Sequence, residues 1–281
     1  MTIIDSRAGG MGDLIVAFYI AEGLKAAGRP CSFTLQMRHG AHDSLVQMFG
    51  QTGTTDPGFD LHSGPGCTGW ELTVKGEPIY HKPRAILWQK RLGIDPLVEP
   101  ARPSANIPLP AMDWAAAHKR SLKGKKLILC FPFCAWPNRD WPLHKWSRLV
   151  AALGGHGHEA LSTHTWNDPR LLKLGRYFYG YGVDHIAALC HHADLIIGNA
   201  SGGAMLAGAL QRKTIAICGS DDPVASFGHE PFVQCIRSEV PSCSSCRFDA
   251  ARGYHNYCDD GCDALACISW EHVLKTALEA L

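Results

Sequence analysis

Along this 281-residue chain, apolar runs and mixed apolar–polar segments take turns, and they predict strands and helices in regular rotation. Three short, continuously apolar runs predict strands buried on both faces: Lys126-Leu-Ile-Leu-Cys-Phe131, Asp194-Leu-Ile-Ile197 and Lys213-Thr-Ile-Ala-Ile217. Thr2–Asp5, Cys31–Met37 and Ala160–Thr163 read as further strands. Apolar residues at helical spacing predict a helix from Asp13 to Ala27. Others are expected near Ser44–Phe49, over Arg84–Leu92, Pro142–Leu153 and Ile186–Ala193, and from Gly203. Repeated strand-helix units imply an α/β protein with parallel sheets covered by helices on both faces. An irregular stretch runs from Gly50 to Gly69. The four prolines of Glu99–Pro110 make a natural linker, so residues 1–110 and 111–281 are expected to form two domains.

Each half carries one glycine-rich turn where a strand passes into a helix. The first is Ala8-Gly-Gly-Met-Gly-Asp13, with Gly10, Met11 and Gly12 at its tip; the second is Gly198-Asn-Ala-Ser-Gly-Gly-Ala204, with Ser201, Gly202 and Gly203 opening the helix. Backbone N–H groups at a helix N-terminus can hold a phosphate or diphosphate. Glycine there also permits close packing with no ligand at all. Neither turn has GxGxxG or Walker spacing. Asp13 either complements the helix dipole or faces a cleft as a base. Two such halves would place a ligand in the cleft between them.

Charge narrows the field of partners. Lysine plus arginine number 27 against 26 acidic residues, so no global field draws the chain to nucleic acid or membrane. No apolar run approaches the roughly 20 residues that span a bilayer, and the N-terminus lacks a signal pattern, so a cytoplasmic protein is expected. There are 12 cysteines. Those scattered through strand-like runs read as small buried hydrophobes. Five crowd one segment: Cys243, Cys246, Cys258, Cys262 and Cys267. Cys243-x2-Cys246 is half of a metal knuckle, and two further thiolates would close a tetrahedral zinc or iron site. Free thiols in a loop are the alternative. Among other features, His191-His192 is expected to complement a helix C-terminus. Of Trp136, Trp141 and Trp146, at least one is expected to line the cleft. Tyr177–Tyr181 reads as a buried strand and turn, with base stacking as the rival role.

Gly-Gly-Met-Gly-Asp13, Arg139-Asp-Trp-Pro142 and Ile-Gly-Asn-Ala-Ser-Gly-Gly-Ala-Met-Leu-Ala207 occur in that order. Together they resemble glycosyltransferase family 9, the ADP-heptose heptosyltransferases. The tail, Cys243-Ser-Ser-Cys246, Tyr-His-Asn-Tyr-Cys258 and Cys267-Ile-Ser-Trp270, is closest to the branch that glycosylates bacterial autotransporters and carries a four-cysteine metal finger.

The resemblance implies a GT-B fold, two Rossmann-like domains with parallel sheets facing across a cleft, the N-terminal one on the acceptor side and the C-terminal one holding the nucleotide-sugar donor. It implies an inverting transfer of a sugar, heptose included, with no catalytic metal. Asp13 matches the family's general base. Arg139 matches its phosphate-binding lysine, and Trp141, Ser201, Gly202 and Gly203 fall at the donor. Cys243, Cys246, Cys258 and Cys267 match the finger (about 240–270), with Cys262 in reserve and His255 behind it. Two positions depart from the heptosyltransferase pattern: Ala200 replaces an acidic residue and Met205 a histidine, while the autotransporter branch has small neutral residues there. The chain is also short in its first half, which leaves protein, saccharide, small molecule and modified DNA open as acceptors, and self-association into a homo-oligomer open too. A sugar-nucleotide epimerase of the same fold and a non-catalytic module using the metal knob are the rival readings.

Overall fold

A computed structural model describes residues 2–5, 11–28, 31–34, 40–49, 53–54, 73–74, 77–78, 103–134, 139–164, 168–179, 182–219, 221–238 and 262–281. In the first half, β1 (Thr2–Asp5), β2 (Cys31–Thr34) and β3 (Gly53–Thr54) form a parallel sheet in that order. Helices α1 (Met11–Ala26) and α2 (Gly40–Met48) follow β1 and β2, and β4 (Thr73–Val74) and β5 (Glu77–Pro78) make a small antiparallel pair. The expected helix Arg84–Leu92 and the end of the expected strand, residues 35–37, lie outside the described residues.

The second half opens with α3 (Leu109–Ser121), whose start is set by Pro108 and Pro110. Six parallel strands follow: β6 (Leu127–Phe131), β7 (Glu159–Thr163), β8 (Tyr177–Phe178), β9 (Leu195–Asn199), β10 (Thr214–Cys218) and β11 (Val233–Arg237). Their order across the sheet is β11-β10-β9-β6-β7-β8. Helices α4 (Leu143–Gly155), α5 (Val183–His192), α6 (Gly202–Ala209) and α7 (Pro223–Phe227) connect them, and α8 (Asp263–Cys267) and α9 (Trp270–Ala280) close the chain. Every residue of β6, β7, β9 and β10 is buried, as a two-sided sheet requires, including the polar Glu159, Ser162 and Thr163 of β7. Side chains cap several of the helices. Asp222 accepts from Val224 N at the start of α7, and Ser269 Oγ accepts from His272 N at the start of α9.

Two apolar layers sandwich the larger sheet. One joins Leu14, Phe18, Leu24 and Leu45 of the first half to Leu129, Ala187, Leu206 and Ala207 of the second. The other packs Trp146, Leu149, Val273 and Ala277 beneath Ile128, Ile197 and Ile217. Cys130, Cys190 and Cys218 are buried hydrophobes as expected. Among the described residues no helix is long and apolar enough to cross a membrane.

Two expectations are overturned. Tyr177 and Tyr179 are not buried: among the described residues β8 pairs with β7 alone, at the edge of the sheet, and the two rings stack on each other at 5.6 Å with 38% and 36% exposure. His191 and His192 do end α5, but both imidazoles are held below the usual range, by burial first and then by the Arg212 charge. Lowered in this way, the two rings bring less positive charge to the helix end than ordinary histidines would.

Candidate functional site at the strand switch

The strand order reverses between β6 and β9, and a doubly wound sheet opens a crevice at the carboxyl ends of such a pair. Residues that follow β6, β9 and β10 meet there. Arg139 donates to Asp221 Oδ2 through Nε (3.0 Å) and a terminal nitrogen (2.8 Å), and the same nitrogen donates to the Ala200 carbonyl. Asn199, wholly buried, donates to Pro132 O at 2.6 Å and accepts from Trp141 N at 3.2 Å. Asp140 accepts from Cys134 N at 2.6 Å and from Arg170 at 2.7 Å. Burial nonetheless raises its pKa. Cys134 is no nucleophile at neutral pH, because burial pushes its thiol to about 12.

Both glycine-rich turns reach this crevice, and they touch. A β-carbon on Gly202 would lie 3.0 Å from Met11 Cβ and 3.1 Å from the Gly12 amide nitrogen; one on Gly12 would lie 2.6 Å from Met205 Sδ. The N-termini of α1 and α6 therefore adjoin. Gly203 and Gly198 serve a second contact: a β-carbon on Gly203 would strike the Phe131 ring at 2.5 Å, and one on Gly198 would lie 3.1 Å from Phe131 Cβ. Close packing thus accounts for Gly12, Gly198, Gly202 and Gly203. Ser201 stands at the N-cap of α6 with no side-chain cap bond. Asp13 is the third residue of α1, within its first turn. Gly10 lies outside the described residues.

Trp141 does not line the crevice. Its ring is fully buried, edge-on to Trp146 at 5.3 Å, and its Nε1 donates to Ile268 O at 3.0 Å. Proximity to the arginine motif suggested a ligand contact, but a partner 127 residues later pulls the indole into the core. Trp136 lies outside the described residues, as do Cys243, Cys246, Cys258 and His255. Among the described residues no group of three metal-binding side chains occurs. Cys262 stands at the N-cap position of α8, with no side-chain cap bond, and packs on the lower apolar layer, whereas Cys267 at the helix end is exposed. Leu265, between them, rests on the loop after β10, where a β-carbon on Gly219 would lie 2.3 Å from Leu265 Cγ.

Asp221, His164 and Arg170 belong to this neighbourhood without having been anticipated. The Asp221-Asp222-Pro223 run after an apolar strand is a helix-start signal that could have marked the first of them. Nothing local marks the others. His164 follows β7, only 6% exposed, and burial drives its pKa to about 4 against the pull of Asp168. Arg170 forks onto Asp168 at 2.6–3.1 Å and lies 4.0 Å over the Phe133 ring.

By structure the chain superposes end to end on several glycosyltransferases. A glycosyl transferase family 9 protein from Veillonella parvula gives a TM-score of 0.72 at 15% identity, over 99% of this chain and 96% of that one. The fold is GT-B. TibC of enterotoxigenic E. coli, an iron-containing dodecameric glycosyltransferase, gives 0.70 at 17% identity over 99% of this chain and 75% of its own. The E. coli ADP-heptose lps heptosyltransferase II gives 0.64 at 13% over 100% and 98%. In sequence, the chain matches no protein-family model and no curated protein.

Proposed function

We propose that this chain is an inverting glycosyltransferase that moves a sugar from a nucleoside-diphosphate donor to an acceptor hydroxyl. The observation that carries the reading is the contact between the N-termini of α1 and α6, with Arg139 bonded to the Ala200 carbonyl just before α6. A diphosphate is the ligand that such a junction favours, with Ser201, Gly202 and Gly203 supplying amides and Arg139 a guanidinium already braced by Asp221. Met11 and Gly12, which touch Gly202, would cover it from the first half, and Gly10 is proposed to share that role. Similar structures include E. coli WaaC with ADP and TibC with ADP-D-beta-D-heptose, so ADP-heptose is the first donor to try.

Asp13 acts as the base. It takes the proton of the acceptor hydroxyl as that oxygen attacks the anomeric carbon, opposite the bond to the diphosphate. The breaking bond leaves its electron pair on the diphosphate, where N–H dipoles and Arg139 stabilise the charge. Nothing in this step calls for a metal.

A zinc or iron ion held by Cys243, Cys246, Cys258 and Cys267 braces the segment before α8. Cys267 is the proposed fourth thiolate, with Cys262 as its alternative. Four sulfur ligands leave no open position, so the ion is structural. Metal content unchanged in a Cys243→Ser, Cys246→Ser double variant refutes that site. The transfer itself is tested with Asp13→Asn, expected to lose turnover while keeping donor affinity; full turnover removes Asp13 from its role.

A further inference from the structure

Gly12 is not the only point at which α1 is fixed to the second half. Two turns further along, Tyr19 is wholly buried and its hydroxyl donates to Glu230 Oε1 at 2.5 Å, a bond between residues 211 positions apart. The His229 ring stands edge-on to the Tyr19 ring at 4.8 Å. Glu230 reaches this position across α6 at Gly208, where a β-carbon would lie 3.0 Å from the carboxylate carbon and 3.0 Å from Val233 Cγ2. Gly208 is thus the slot through which the carboxylate passes.

We infer that Tyr19 and Glu230 form a clasp that sets the register and rotation of α1 against α6, and so act as positioning residues for Asp13. Gly12 and Tyr19 are seven residues apart, which puts them on one face of the helix about 10 Å from each other. A helix held at one point can still pivot about it. Held at two points on one face, it can neither roll nor slide, and the backbone at Asp13, next to Gly12, keeps a fixed place relative to the N-terminus of α6. Apolar contacts along α1 resist separation but tolerate small rotations, whereas a buried hydrogen bond to a carboxylate loses its geometry within a few tenths of an ångström. The inference about Asp13 rests on its reading as the base; the clasp does not.

The test uses Tyr19→Phe, which deletes one hydroxyl, and Glu230→Gln, which keeps an acceptor for it. Amide hydrogen exchange along residues 14–26 should quicken about tenfold in Tyr19→Phe and much less in Glu230→Gln, with α4 unchanged in both. Where the wild type transfers sugar, Tyr19→Phe should lower kcat about tenfold and leave the dissociation constant of the nucleoside diphosphate within about twofold, since the donor is held by the second half. Unchanged exchange in α1 overturns the clasp, and quickened exchange with unchanged kcat overturns the positioning of Asp13. Should the wild type transfer nothing to any acceptor, the base reading falls while exchange still decides the clasp.

Discussion

Gly12 and Gly202 lie in backbone contact across the two halves of the molecule: a β-carbon placed on Gly202 would stand 3.1 Å from the amide nitrogen of Gly12. The two glycine-rich turns are one feature seen from two sides. Their lack of side chains lets two helix N-termini meet, and the proposed chemistry draws on both of them.

The neighbours of these glycines predict unequal costs. At Gly12 the obstacle is the thioether of Met205, a flexible side chain; at Gly202 it is Met11 Cβ and backbone. Gly202→Ala should therefore be the more damaging, by ~1–3 kcal/mol of overpacking. Gly12→Ala should be milder, and its cost should shrink when Met205 is also replaced by Ala. Urea unfolding of the single and double variants measures this coupling.

Arg139 braces the crevice and is also the proposed diphosphate ligand, and a pair of variants separates the roles. The pair with Asp221 is largely buried, with side chains 13% and 3% exposed. Arg139→Ala leaves that carboxylate without its guanidinium and should cost ~3–5 kcal/mol. Arg139→Ala with Asp221→Ala should recover much of the stability and none of the nucleotide affinity. A double variant that binds nucleoside diphosphate like the wild type would make Arg139 a brace alone.

His164 predicts a loss of stability in acid. Its folded pKa of about 4 lies below the ordinary value of 6.5, so between these limits the unfolded chain binds the extra proton. Stability from this residue is complete above about pH 6.5 and declines as pH falls towards 4, by ~3 kcal/mol in all. The pH dependence of the urea midpoint should flatten over that window in His164→Gln. An unaltered slope would place the acid sensitivity elsewhere.

Gly219 links the cysteine-bearing helix to the crevice. Gly219→Ala forces its methyl onto Leu265, which is 2% exposed and cannot swing into solvent. The variant should lose ~1–3 kcal/mol. Thermal unfolding should show that Leu265→Ala in the same chain restores part of it.

Much of this was legible because it is local. Continuous runs such as Leu127–Phe131 and Leu195–Asn199 can be buried only on both faces, and the Gly202-Gly203 pair soon after the second marks where the chain turns into a helix. Helix starts were less so: α5 begins at Val183, a turn before the expected Ile186, because Gly182 and not the first apolar repeat ends the preceding loop. What escaped depends on distant partners. Trp141 looks like a ligand contact until Ile268 O receives its N–H, and Tyr19 looks like one more apolar position of α1 until Glu230 arrives beside it. His164 and Arg170 carry no local sign of the crevice they border.

The most direct test of the central claim is a thermal-shift titration with ADP, UDP, GDP, CDP and TDP. A nucleotide at about a hundred times its dissociation constant adds ~2.7 kcal/mol of stability and moves the midpoint visibly. One of the five, ADP first, should raise the midpoint well above the others, and Arg139→Ala with Asp221→Ala should abolish the rise. No shift with any nucleotide at millimolar concentration would contradict a diphosphate site at the junction of α1 and α6.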